Sequence, residues 1–179
     1  MPIRVIVAAL AVALALPCEA TAQTAQRFSI QISALGVQLT GEPNEELAFG
    51  GGGELQVRWN PSAFSIGIGG QTTRHELDRV TVTFKGGFIE PRYILTSLGE
   101  SVGLYVSGRL MSLDATFEVA GIERSIEGTA VSGGGGLLIR LGGRLNGELG
   151  VTIGKEFYDG NAAEGATVVT RIGLAIGLG

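Results

Sequence analysis

The stretch GGFIEPRYIL, residues 86–95, decides how this chain is read. Apolar Phe88, Ile89, Tyr93, Ile94 and Leu95 surround a glutamate, Glu90, and an arginine, Arg92. At a period of two, Ile89, Pro91 and Tyr93 share one face of a strand and Glu90 and Arg92 the other. The question is which face meets solvent.

The same alternation runs outward from this segment in both directions. Phe28, Ile30, Ile32 and Ala34 alternate with Ser29, Gln31 and Ser33; Leu55, Val57 and Trp59 alternate with Glu54, Gln56 and Arg58; Phe64, Ile66 and Ile68 alternate with Ser65, Gly67 and Gly69. A helical reading fails, because the chain holds 30 glycines and each one inside a helix costs about 1 kcal/mol. The pattern predicts eight strands over residues 27–39, 48–59, 63–73, 79–95, 101–112, 126–141, 144–157 and 166–178. These exceed the usual strand of about 5–6 residues and match the roughly 9–11 that a tilted membrane strand needs.

Connections at 60–62, 96–100 and 142–143 read as short turns. Those at 40–47, 74–78, 113–125 and 158–165 read as mostly longer, acidic loops. Short and long connections alternate, which places turns at one end of a meander and loops at the other. The expected fold is all-β: an eight-stranded antiparallel up-and-down transmembrane β-barrel filling residues 23–179 as one domain. Eight strands make a barrel narrow enough for side chains to fill.

In such a barrel the apolar face meets lipid and the charged face lines the lumen. The reading places Glu54, Arg58, Glu90, Arg92, Arg109, Arg140, Glu148 and Arg171 inside as a structural lumen network of paired charges, with Tyr105, Ser107 and Leu138 beside them. Glycines at 67, 69, 134, 136, 173 and 177 leave room for the long side chains. Arginine suits this setting because its planar fork joins two carboxylates. Val80, Val82 and Phe84 have the opposite parity to Ile89 and Tyr93, so a bulge is expected at Gly86-Gly87 and a local irregularity at Pro91. Trp59, Phe64 and Tyr93 would form an aromatic girdle at the turn end. Phe49, Phe84, Phe117, Phe157 and Tyr158 would form the other. A lipocalin-like barrel binding a small ligand or lipid is the alternative, with the apolar face inside.

The stretches FIEPRYIL, VGLYVSGRLM, SGGGGLLIRLGGRLNGELGVTIG and TRIGLAIGLG resemble the small outer-membrane β-barrel proteins of Gram-negative bacteria, the eight-stranded group similar to the OmpA transmembrane domain and OmpX. The resemblance covers the whole of residues 23–179. It implies a monomer in the cell outer membrane among its lipid and lipopolysaccharide. It also implies periplasmic chaperones and the barrel-assembly machinery as partners in biogenesis. Family members usually end in an aromatic residue, whereas this chain ends Ile176-Gly177-Leu178-Gly179.

Chemistry is sparsely signalled. The only histidine, His75, stands in RHELDR and reads as part of a charged, solvated hairpin tip. A His–carboxylate pair there would be the starting point of a lipid-modifying enzyme, but no serine lies two residues away. One histidine and one cysteine, Cys18, make a metal site unexpected. The glycine runs at 50–53 and 133–136 lack the Lys-Ser/Thr and helix of a phosphate loop. A net charge of −4 argues against nucleic acid. The expectation is no catalysis, no cofactor and no open pore.

The N-terminus reads as a targeting segment. Arg4 precedes twelve apolar residues, Val5–Leu16, and Ala20-Thr21-Ala22 offers small residues for cleavage. The run is shorter than the roughly 20 residues of a membrane helix. Pro17 before Cys18 disfavours lipid attachment. Mass spectrometry of the exported protein is expected to find Gln23 at its N-terminus, with residues 1–22 removed. A species retaining Cys18 with attached lipid would overturn this.

Overall fold

The computed structural model describes residues 26–40, 49–77, 80–98, 101–119, 121–158 and 165–178; the expected signal segment lies outside them. Eight strands follow in chain order: β1 (Phe28–Thr40), β2 (Gly50–Trp59), β3 (Phe64–Leu77), β4 (Val80–Leu98), β5 (Val102–Val119), β6 (Ile122–Gly142), β7 (Leu145–Tyr158) and β8 (Gly165–Leu178). Each pairs antiparallel with the next, and β8 pairs with β1 to close the barrel. Closure leaves no sheet edge within the ring, as lipid requires of a spanning sheet.

Along each strand one parity points out and the other in. Ile32, Ile68, Ile153 and Ile172, on four different strands, are each 64–66% exposed. So many large apolar side chains in one exterior band mark a surface built for hydrocarbon. Phe28, Trp59, Phe64 and Tyr93 face outward at the turn end on four adjacent strands, with Phe28 beside Trp59 and Phe64 beside Tyr93. This girdle includes Phe28, which the expected set omitted.

Above the band the exterior turns polar. Leu110 on β5 is followed outward by Ser112, Asp114, Thr116 and Glu118. Ile68 on β3 is followed by Thr72, Arg74 and Glu76. At the same level the interior turns apolar. Leu35, Val37, Leu39, Val82, Phe84, Phe88, Met111, Leu113 and Ala115 form one buried cluster, with Phe117 and Tyr158 packed on it.

This inversion corrects the bulge expected at Gly86-Gly87. Lys85 pairs with Asp114 and Phe88 with Met111 in one unbroken register, and Gly86 and Gly87 pair in step with Gln71 and Gly70. Val82 and Phe84 therefore point inward with Phe88 and Glu90. The strand keeps its parity while its surroundings change: lipid outside requires charge inside, and water outside requires apolar packing inside. Phe84, Phe117 and Tyr158 accordingly pack indoors, and of the expected outer girdle only Phe49 and Phe157 face out. The one register shift in the β4–β5 pairing lies between Ile94 and Thr96; register is unchanged across Pro91, which pairs with Ile66 on β3.

Two expected loops are also strand. Residues 113–119 and 122–125 belong to the top of the β5–β6 hairpin, paired from Leu113–Gly128 to Val119–Ile122. Its turn uses Gly121 at φ 83°, a left-handed conformation favouring glycine. Residues 74–77 extend β3. Acidic residues there marked a water-facing strand surface, not a loop.

Membrane placement is testable by parity and height together. Val106→Arg, in the apolar band, is expected to destabilise the barrel by about 2–4 kcal/mol, and Ser112→Arg, facing the same way above it, by about 0–1 kcal/mol. Urea unfolding in lipid vesicles measures both, and equal losses would remove the band assignment.

Candidate functional site

The lower lumen is filled with charge, and the strand pattern explains how the charges meet. Inward positions of β2 supply Glu54 and Arg58, those of β4 supply Glu90 and Arg92, and β5, β7 and β8 supply Arg109, Glu148 and Arg171. All seven are buried.

Glu90 is the hub. Its Oε1 accepts from Arg58 at 2.6 Å and from Arg92 at 3.1 Å. Its Oε2 accepts from Arg109 at 2.5 Å and forms an ion pair with Arg171 at 3.1 Å. Arg92 continues to Glu148 at 2.8 Å, and Arg109 continues to Glu54 at 2.9 Å. Arg171 touches all three glutamates, reaching Glu54 at 2.9 Å and Glu148 at 3.2 Å. One connected network thus ties five strands across the barrel axis.

Neutral groups extend it. Tyr105 donates its hydroxyl hydrogen to Glu148 at 2.6 Å. Arg58 donates to Gln56 at 2.8 Å and to Ser65 at 3.1 Å, and Arg109 donates to Gln71 at 2.7 Å. The Arg109 guanidinium lies 3.7 Å above the Phe88 ring and that of Arg92 lies 4.1 Å above Tyr105, so aromatic faces cover cations that water does not reach. A Cβ at Gly67 would stand 2.8 Å from Arg58 Nη2, so glycine is what lets that side chain lie flat against the wall.

Arg140 is the exception among the eight residues singled out. It has the inward parity but sits at the turn end, exposed, where β6 shifts register between Arg140 and Gly142. Parity predicts direction, whereas burial needs wall above and below. The acceptors Gln56, Gln71 and Ser65 were missed as network members. Their inward parity was legible, but neutral side chains carry no signal that they will meet arginine.

His75 is likewise not the solvated tip expected. It lies in β3 pointing into the upper lumen, 1% exposed and edge-on to Phe84 at 5.3 Å between ring centroids. Its neighbours Arg74 and Glu76 face outward and pair with each other at 2.9 Å in solvent. Higher in the lumen, Tyr158 donates to the buried carboxylate of Glu156. No group of three or more His, Cys, Asp or Glu among the described residues is placed to hold a metal.

No protein-family model and no curated protein matches the chain in sequence. Its fold matches solved structures at low identity. Neisserial surface protein A has a TM-score of 0.75 at 10% identity, over 84% of this chain and 97% of that one. Ail, the attachment invasion locus protein of Yersinia pestis, has a TM-score of 0.57 at 14% identity, over 84% and 97%. The N-terminal β-barrel domain of Pseudomonas aeruginosa OprF has a TM-score of 0.54 at 15% identity, over 84% and 98%. Ail has also been solved in complex with the heparin analogue sucrose octasulfate. The chain therefore has the fold of the small eight-stranded outer-membrane β-barrels.

Removing the hub leaves four cations facing one another without their shared carboxylate. Glu90→Ala is expected to cost about 3–5 kcal/mol or more, and Glu76→Ala, which breaks only the exposed pair with Arg74, about 0–1 kcal/mol. Unfolding in vesicles compares them, and similar losses would show that the network is not the core of the barrel.

Proposed function

We propose that this chain is an integral outer-membrane protein, held in the bilayer by a plugged barrel, with a structural or surface-interaction role exercised by the sheet standing above the apolar band. The observation that carries this reading is the lumen network. Four arginines, three glutamates, Tyr105 and Phe88 occupy the barrel where a solute would have to pass. The apolar cluster packs above them, and a cavity of about 40 Å³ between Phe84, Met111, Thr152 and Glu156 is roughly enough for one or two waters. Permeation is therefore not the function assigned.

The other readings have less support. A lipocalin-like cavity requires an apolar interior with room for a ligand. Here the interior is charged below and packed above. A lipid-modifying enzyme requires a base beside a nucleophile within substrate reach, and His75 is enclosed against Phe84. The chemistry of the exposed sheet also differs from a polyanion site of the kind the Ail complex would need. The outer face of the β5–β6 hairpin carries Asp114, Glu118, Glu123 and Glu127, which repel sulfate. A cationic or mixed-charge protein surface fits it better.

Export through the segment 1–22, lipid and lipopolysaccharide as surroundings, and assembly by periplasmic chaperones and the barrel-assembly machinery belong to the same proposal. Two measurements test it together. The expressed protein is expected in the outer-membrane fraction with heat-modifiable gel migration, and in planar bilayers it is expected to give no stepwise conductance. Recovery in a soluble fraction, or regular porin-like steps, would overturn it.

A further inference from the structure

The buried charges of the network do not cancel among themselves. Arg58, Arg92, Arg109 and Arg171 face three carboxylates, Glu54, Glu90 and Glu148, which leaves one positive charge in excess. A net charge held away from water is costly. One further buried carboxyl lies among the described residues. It belongs to Glu156 on β7, 5% exposed, whose hydrogen-bond partner is the Tyr158 hydroxyl and not a cation. Arg109 of the network and Glu156 both line the cavity of about 40 Å³. The rest of its polar lining is able to donate. Ser132, Thr152 and Thr167 contribute hydroxyls. Gln71 accepts from Arg109 through Oε1, so its Nε2 amide is the group left to donate.

We propose that this cavity is a binding site for a small inorganic anion of chloride size, and that the anion enters together with a proton on Glu156. Two fillings keep the lumen neutral. With Glu156 ionised, its charge balances the excess arginine and the cavity takes water. With Glu156 protonated, the excess is balanced by an anion held among hydroxyl, amide and guanidinium donors. An anion beside an ionised Glu156, or water beside a protonated one, leaves a charge uncompensated. The volume admits one ion little larger than water and refuses an organic anion such as gluconate.

Few other charged groups bear on the site. Of the cavity lining only Arg109 and Glu156 are charged or titratable, and the parts of the wall from β1, β3, β4, β6 and β8 carry neither. Tyr158 adjoins Glu156 on its own strand. His75 on β3 stands edge-on to Phe84, whose side chain lines the cavity. A proton on His75 would imitate one on Glu156, so the test has to separate the two.

Urea unfolding of the full-length barrel in vesicles supplies that test, with chloride replacing gluconate at constant ionic strength. Chloride binds only the form with Glu156 protonated. Its stabilisation is therefore present at low pH and lost as pH rises through the titration of folded Glu156. In the wild type, chloride is expected to raise the urea midpoint at about pH 5 and to leave it unchanged at about pH 8. Glu156→Gln, which fixes the neutral form, is expected to show the chloride shift at both pH values. Adding Thr152→Val and Thr167→Val to that variant is expected to remove it. Heat-modifiable migration checks that each variant folds. A wild-type shift equal at the two pH values, or absent at both, would overturn the proposal. So would a shift that survives the two valines. If His75 were the group taking the proton, the wild type would still respond in acid but Glu156→Gln would show no shift at about pH 8, and that result too would overturn it. The assay needs only a folded barrel, so its failure leaves the membrane reading standing.

Discussion

Glu90 pairs with four arginines, and the lower half of the barrel is organised by that convergence. A carboxylate buried in a narrow lumen is costly unless opposite charges surround it. Arg58, Arg92, Arg109 and Arg171 do this from four strands, and Glu54 and Glu148 hold the far ends of three of them. The donors come from β2, β4, β5 and β8, so their convergence requires the sheet to be closed. The same side chains that pair with one another also fill the lower lumen.

The second organising constraint is the medium outside the wall. Through the apolar band the exterior meets hydrocarbon, and the charges have nowhere to go but inward. Above it the exterior meets water, so Thr, Ser, Asp and Glu take the outer positions and Leu35, Val82, Phe84, Met111 and Leu113 take the inner ones. The barrel is thus inside-out below and conventional above, on strands that run through the change without losing register. A long strand can serve both halves because its two faces are chemically independent. The upper half gives the β5–β6 hairpin a packed base, on which it rises past Tyr158, the end of β7.

Much of this was legible in the chain as a linear string. Period two, the glycine content, the strand lengths and the parity of Glu90 and Arg92 are local properties, and they lead to eight strands with charge on one face. Seven of the eight charged residues named from parity are buried and linked. What parity alone could not reach was height. Arg140 has the right face and the wrong level, at the open rim. Phe84 has the expected element and an unexpected environment, and His75, expected in a loop, extends β3 and points into the lumen, because the medium outside the wall changes along the strand. The acidic stretch at 113–125 looked like loop for the same reason, since charge was equated with connection and not with a wetted strand face.

The sequence by itself determined the elements, their order and the direction each side chain takes from its strand, since these follow from the alternation of neighbouring residues. Only the tertiary structure decided which charges meet, which level each occupies and where one strand outruns its neighbour. Those depend on the stagger and closure of the sheet, which bring Glu90 to Arg171 across 81 positions of chain and carry β6 past Tyr158, the end of β7. Register between distant strands is set by the sum of many cross-strand pairings and by the surrounding medium, and no local pattern encodes either.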